Sequence, residues 1–570
     1  MHFLDYFVVV IFSVAIVIAG ISFGRGGSSA NMKSFFAAGG AVPWPINGLS
    51  LFMSFFSAGT FVVWGAIAYE HGWVAVTIQW AMCAAGLMIA LFIAPKWRET
   101  KVLTAAEFIS KRLGLSVQQF YTYLFLGLSL LYTGAFLYPV AVIVNVATGF
   151  GIHEVIILLG LLIILYTTVG GLWSVIVTDV LQFVILTAAI LIVVPLALDN
   201  AGGLAEFVEK APDGFFNLFS GEYTIGFIIA FAFYNMVFIG GNWAYVQRYT
   251  SVKDKRSAKK VGYLFTALYV ISPVIWMLPP MLYRTIDPGL TGLENEAAYL
   301  LMVKDVLPIG MLGLMLGGMV FATASSVNTT LNLSAAVVTN DIFKPLRPNA
   351  SDKQLVVVGR LSTLLFGIGT VGVALLVPRA GGIVEIVLSV AALTGAPLYA
   401  PPIWALFSKT HTGKSIAFIT LSSLIINLFF KFVTPFLWGF GLDRAEEMIL
   451  GVGGPLVMLL GYELWALWKG QVSTSFKKYE KSIADEEDVT VKLQTSIDKD
   501  SLEQNRYGMK VISLALAFTG SLIFVLGFIA GEATLLVSSI GLLILGVAYL
   551  VWKLGSRKVE EVKEKILKVK

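Results

Sequence analysis

Apolar runs of about 20 residues recur along this chain, from close to its first residue to about residue 553, separated by short polar connections. Each run is long enough to cross the roughly 30 Å of bilayer hydrocarbon as a helix. Lipid offers the backbone no hydrogen-bond partners, so a spanning segment must satisfy its own, and a helix does so. Only 13% of the 570 residues are charged and 57% are hydrophobic, which excludes an ordinary soluble domain. The predicted fold class is an all-α polytopic membrane protein.

The runs place helices near 3–22, 46–68, 73–95, 117–148, 153–169, 174–198, 224–247, 259–284, 305–341, 355–378, 383–408, 414–436, 446–468, 509–530 and 533–553, about 15 transmembrane helices in all. The first run lacks a basic leader and a small-residue cleavage site, so it reads as a retained helix. Basic residues cluster in alternate connections: Lys96, Arg98, Lys101, Lys111 and Arg112; then Arg248, Lys253, Lys255, Arg256, Lys259 and Lys260; then Lys344, Arg347 and Lys353. The positive-inside rule predicts an outside N-terminus and a cytoplasmic C-terminus in the cell (inner) membrane. Residues 469–508 are rich in Lys, Asp and Glu and read as a mobile cytoplasmic linker.

Two five-helix blocks are visible, 46–199 and 224–408. Five is odd, so successive blocks enter the membrane from opposite sides, as inverted repeats do. Residues 1–45 form a leading helix and cytoplasmic loop, 409–468 two additional helices, and 509–570 a C-terminal helix pair with a basic tail. The first helix of the first block, PWPINGLSLFMSFFSAGTFVVWGA, is dense in Gly, Ser and Pro, and its counterpart carries Phe238 to Trp243, FIGGNW. Such interruptions at matching places mark broken helices around a midplane site, or else close helix packing.

Within the run Gly317 to Asp341, hydroxyls and amides crowd together: Ser325, Ser326, Asn328, Thr329 and Thr330. Neutral oxygens inside a membrane suit a hard, weakly held cation such as sodium. Asp179 is the one acid in the run from Gly170 to Val194. It reads either as an interfacial carboxylate or as an ion ligand or gate residue. The single cysteine, Cys83, excludes intrachain disulfides, and the four histidines (His2, His71, His153 and His411) fall at predicted helix ends or loops. No nucleophile–base pair or paired acids suggest an enzyme.

Four segments together carry a resemblance: GGLWSVIVTDVLQ, the TASSVNTTLN…TNDIF helix, SFFAAGGAVPWPINGLSLFMSFFSAGTF and NWAYVQR. They resemble the sodium:solute symporter family over roughly residues 3–468. The resemblance implies a LeuT-like five-plus-five inverted repeat with extra N- and C-terminal helices, working by alternating access. It implies a sodium site made by the carbonyls of Met53, Phe56 and Ala322 and the hydroxyls of Ser325 and Ser326. A second sodium falls on Asp179, Ser325, Asn328 and Thr329. Solute contacts fall on Thr60, Gln79, Asn242 and Tyr269, with Met82 and Leu388 nearby, and several of these differ in type from galactose-transporting members.

The helix at 117–148 has no Lys or Arg, so a carboxylate solute lacks a side-chain countercharge there. This favours a neutral, sugar-like solute over an amino acid, sialic acid or monocarboxylate. A transporter-like sensor is the rival of another class. The expected partners are sodium, a small solute and the bilayer, with co-transported sodium in place of any organic cofactor, no nucleic acid, and an unknown protein partner.

Overall fold

The computed structural model describes residues 1–25, 42–102, 104–166, 172–531 and 533–567; side chains outside the description include those of Ser325, Asn328, Thr329, 482–505 and 555–567. Helix follows the apolar runs, and its starts fall where the sequence supplies capping groups. Thr224 accepts from the Phe227 N–H, Asp254 from Ser257 and Asp443 from Glu446. Each occupies the position where a side-chain oxygen satisfies a donor that the helix cannot.

Leaving short connecting turns unnumbered, the helices are α1 (Phe3–Arg25), α2 (Trp44–Met53), α3 (Gly65–His71), α4 (Val74–Glu99), α5 (Ala105–Leu113), α6 (Leu115–Thr148), α7 (Ile152–Tyr166) and α8 (Leu172–Asn200). There follow α9 (Ile225–Gly241), α10 (Trp243–Thr250), α11 (Lys255–Ile286), α12 (Ala298–Val306), α13 (Met311–Val337) and α14 (Asp352–Leu376). The last are α15 (Ile383–Phe407), α16 (Gly413–Trp438), α17 (Arg444–Trp468), α18 (Thr474–Ala530) and α19 (Thr534–Leu567). Among the described residues, length and composition give 10 uninterrupted spans, or 11 when α9 and α10 are joined across their 66° bend. The expected figure was about 15. The difference lies in α2–α3, which is broken, and in the shorter described apolar stretches Phe3–Phe12, Ile152–Leu161 and Met311–Ala324.

Both breaks have a local cause. After Met53 the chain leaves the helix and resumes it near Ala58. Thr60 takes over the lost ladder: its hydroxyl donates to the Phe55 carbonyl (2.7 Å) and accepts from the Ser57 N–H (3.1 Å). At the second break Asn242 is extended (ψ 130°), and its Oδ1 caps the Ala244 N–H at 3.0 Å. The preceding glycines serve packing. A Cβ on Gly241 would lie 2.9 Å from Ile403, and one on Gly240 would lie 2.9 Å from Ile93. The two readings of FIGGNW are therefore both realised, on adjacent residues.

The expected linker at 469–508 is corrected by the structure. Helix begins at Thr474 and runs unbroken to Ala530. Residues 474–507 hold many charges but no Gly or Pro, so nothing in them stops a helix. The start of α18 is docked on the core around Arg112. This buried guanidinium donates to Ser475 Oγ (3.1 Å) and to the Ser408 carbonyl (2.9 Å), and it lies 5.1 Å from the Phe476 ring centre. Burial lowers its pKa to about 10. Burial likewise lowers the pKa of the neighbouring His411, against the Leu459 carbonyl and Glu463.

The pair α18–α19 is packed on the bundle. Ile512, Leu516, Ile523, Val537 and Ile540 form one apolar cluster with Val8 and Phe12 of α1 and with Leu181 and Ile185 of α8. The two helices cross at glycines: a Cβ on Gly541 would lie 2.6 Å from the Phe524 backbone nitrogen. Gly541→Leu should therefore force the pair apart at a cost of roughly 1–3 kcal/mol. The expected readout is a lower melting temperature of the purified protein; an unchanged value would contradict the close crossing.

Candidate functional site

The centre of the molecule lies where α2 breaks against α13. The Ala58 N–H, at the restart of the helix, donates to Thr323 Oγ1 at 3.2 Å, and Thr323 itself donates to the Met319 carbonyl. This contact joins the first five-helix block to the second. One turn along α13, Ser326 Oγ meets the Ala322 carbonyl at 3.4 Å. Met53 ends α2 and its carbonyl accepts from the Phe56 N–H at 3.2 Å, closing a tight turn. Met53, Phe56, Ala322 and Ser326 thus stand on the two sides of one junction. The side chains of Ser325, Asn328 and Thr329 lie outside the described residues. Thr323, which the sequence reading passed over, is the group that fixes the junction.

Asp179 is buried, and its carboxylate is engaged. Ser50 Oγ of α2 donates to it at 2.6 Å, and Arg248 Nη2 of α10 lies 3.7 Å away. Arg248 Nε also donates to Ser50 (3.3 Å), and Asn47 Nδ2 donates to the Arg248 carbonyl (3.1 Å) and to Ser251 Oγ (2.9 Å). A solvated carboxylate does not fit Asp179, which is 7% exposed beside an arginine 4% exposed. Arg248 belonged to a basic loop cluster on sequence grounds. Its burial follows from the bend at Asn242, which no pattern in the sequence aims at Asp179. The pair ties α2, α8 and α10 together at one end of the bundle.

At the other end α12 and its preceding turn close over α3. Asn295 Nδ2 donates to Glu70 (3.1 Å), Tyr69 donates to the Asp287 carbonyl (2.7 Å), and Glu296 accepts from the Ile383 N–H at the start of α15 (2.9 Å). Burial raises the Glu296 pKa, against its bond from Ile383.

The four expected solute residues have unequal capacity. Thr60 is spent on the break, and Asn242 caps α10 while donating to Tyr399 Oη at 3.2 Å. Tyr269 packs edge-on to Phe52, with centroids 5.2 Å apart, and against Phe265. Gln79 differs: it is 1% exposed and, among the described residues, neither end of its amide has a hydrogen-bond partner. Aromatic rings crowd the same region, with Phe56 stacked on Trp276 at 4.0 Å. The face of Trp243, a candidate for stacking on a sugar ring, is taken by Phe125 at 5.3 Å.

A multi-pass helical membrane protein with two broken helices, one of them meeting a hydroxyl-rich helix, has the architecture of an ion-coupled transporter. The chain belongs to the sodium:solute symporter family, whose family model matches residues 35–421. It is therefore a sodium-coupled symporter, in which sodium and a small solute move together. It is 25% identical over 503 residues to mouse sodium/glucose cotransporter 1, covering 79% of this chain and 75% of the relative. To the sodium/sialic acid symporter NanT of Aliivibrio fischeri it is 26% identical over 488 residues, covering 83% and 94%. Its fold matches that of a solved sodium-coupled sialic acid symporter with a TM-score of 0.66 at 22% identity, over 81% of this chain and 98% of that one. The closed form of Mhp1, a nucleobase-cation-symport-1 transporter, matches with a TM-score of 0.52 at 15% identity, covering 79% and 99%. The LeuT-like architecture expected from the sequence is thus the observed one.

Thr323→Val keeps the shape and removes the oxygen that accepts from Ala58. It should raise the half-saturating sodium concentration about fivefold, the worth of one hydrogen bond near 1 kcal/mol. Thr323→Ser should stay close to the parent. Equal behaviour of the two variants in sodium-activated uptake would contradict this role.

Proposed function

We propose that the protein imports a small neutral polyhydroxy solute, sugar-like in chemistry, together with sodium held by the Met53, Phe56 and Ala322 carbonyls and the Ser325 and Ser326 hydroxyls. The N-terminus is outside and the C-terminus cytoplasmic, which puts the Asp179–Arg248 pair at the cytoplasmic end and the Glu70–Asn295 contact at the outer end. Alternating access then consists in opening one of these ends while the other stays closed.

The observation that carries the solute class is Gln79. A buried amide with donor and acceptor both unsatisfied is costly unless a partner arrives. A hydroxyl offers a donor and an acceptor together and so answers both ends. A carboxylate answers only the donor end. Arg248, the buried cation of the bent helix pair, is engaged with Asp179 and Ser50, so it is not free to receive an acid. Thr60 and Asn242 shape the wall through the breaks they cap, and Tyr269 supplies apolar surface. The glucose-named and sialic-acid-named relatives span both solute classes, so the choice rests on Gln79.

Asp179 has two readings within this proposal. As a gate residue it holds α2, α8 and α10 together through Arg248, and the observed contacts favour this. As a ligand of a second sodium with Ser325, Asn328 and Thr329, it must exchange Arg248 for the ion. Asp179→Asn separates them. The gate reading predicts an unchanged sodium Hill coefficient and altered turnover, whereas the second-sodium reading predicts a lower coefficient.

The test of the solute class is uptake into proteoliposomes under an imposed sodium gradient, across neutral monosaccharides, sugar acids, proline and monocarboxylates. A neutral sugar should be taken up saturably, and Gln79→Leu should raise its KM about tenfold or more with little change in sodium dependence. Uptake of acids alone would overturn the solute class. Solute binding without sodium-driven flux would favour a sensor.

A further inference from the structure

Gln182 lies one turn beyond Asp179 on α8, is 1% exposed, and has an Nε2 with no acceptor among the described residues. Contacts on either side of it along α8 fix its place. One turn before it, Asp179 meets Ser50 of α2 at 2.6 Å. Immediately after it, Phe183 packs edge-on against Phe52 of α2, centroids 5.8 Å apart. One turn beyond, Leu186 and Ile185 face Gly318 of α13, where a Cβ would lie 3.1 and 3.4 Å from them. Residues three and four apart share a helix face, so Asp179, Gln182 and Leu186 form one stripe pointing into the groove between α2 and α13.

The levels follow from direction. Pairing of Ser50 with Asp179 and of Phe52 with Phe183 makes α2 and α8 parallel, which sets Gln182 level with Met53. Two intervening crossings, the bent pair α9–α10 and α11, make α13 antiparallel to α8. Moving one turn along α8 from Leu186 to Gln182 therefore moves along α13 from Gly318 to Phe321 and Ala322. Met53 and Ala322 are the carbonyl donors assigned above to sodium, and Gln182 reaches their level from a third helix.

The chemistry of the amide suits that place. Its oxygen and its NH2 group are nearly equal in size, and the partner decides which one faces it. Toward a cation the oxygen turns in. We infer that Gln182 is a further sodium-site residue, one that presents Oε1 to the ion and so sets sodium affinity and selectivity. The inference rests on the sodium site proposed above.

Sodium-activated uptake at saturating solute tests it, with Gln182→Leu, Gln182→Glu and Ser326→Ala measured side by side and lithium as the competing ion. Gln182→Leu should raise the half-saturating sodium concentration roughly tenfold, as loss of a supporting metal-site group does, with the solute KM unchanged at saturating sodium. Gln182→Glu should lower that concentration and change the sodium-to-lithium ratio, and it serves if the leucine variant does not fold. If Ser326→Ala weakens sodium activation while both Gln182 variants keep the parent's sodium constant and ion ratio, Gln182 is packing only and the inference falls while the site stands. If Ser326→Ala also leaves sodium activation untouched, the sodium site is elsewhere and the inference falls with it.

Discussion

The hydrogen bond from the Ala58 N–H to Thr323 is the contact on which the centre of this molecule depends. Unwinding a helix inside a membrane exposes backbone groups that lipid cannot satisfy, and each orphan costs several kcal/mol. Here the orphans are answered by neighbouring hydroxyls: Thr60 covers Phe55 and Ser57, and Thr323 covers Ala58. The same break puts Met53 and Phe56 in a turn between two helix segments, where the sodium ligands are proposed. A weak, neutral-oxygen site is what a transport cycle needs, because the ion must also leave.

The two ends of the bundle are closed by different physics. At one end a buried carboxylate and guanidinium are held together through Ser50. Removing one partner of such a pair leaves the other uncompensated in low dielectric, which makes the contact a sharp switch between made and broken states. At the other end neutral and carboxylate hydrogen bonds from the turn before α12 reach α3 and the start of α15. These bonds are individually modest, though Asn295 and Glu296, 5% exposed each, are as buried as the charge pair. The two ends thus differ in chemistry and not in burial: a charge pair at one, hydrogen bonds from amide and backbone N–H groups at the other.

Much of this was legible in the sequence. The apolar runs and their alternating charged loops located the helices, and the Gly, Ser and Pro of α2 marked its break. The density of hydroxyls in α13 points to the ion site proposed above. Other features were not legible, for definite reasons. Arg248 sits in a basic stretch whose other members are loop residues, and only the bend at Asn242 turns it inward. Gln182 and Gln79 are single amides in apolar runs, and sequence shows neither their depth nor their missing partners. Residues 474–507 have the charge of a linker, but their lack of Gly and Pro was the better guide to α18. Thr60 and Asn242 align with solute positions, Asn242 matching in type, yet their polar atoms hold the two breaks.

The central claim is that sodium is held where the broken α2–α3 helix meets α13. The most direct measurement is the melting temperature of the purified protein in sodium against equal potassium, for the parent and for Ser326→Ala. Binding to the folded state stabilises by mass action, about 2.7 kcal/mol at a hundred times the dissociation constant. The account predicts a sodium-specific rise in the parent that is lost or strongly reduced in Ser326→Ala. An equal rise in both proteins, or no difference between sodium and potassium at any concentration, would contradict it.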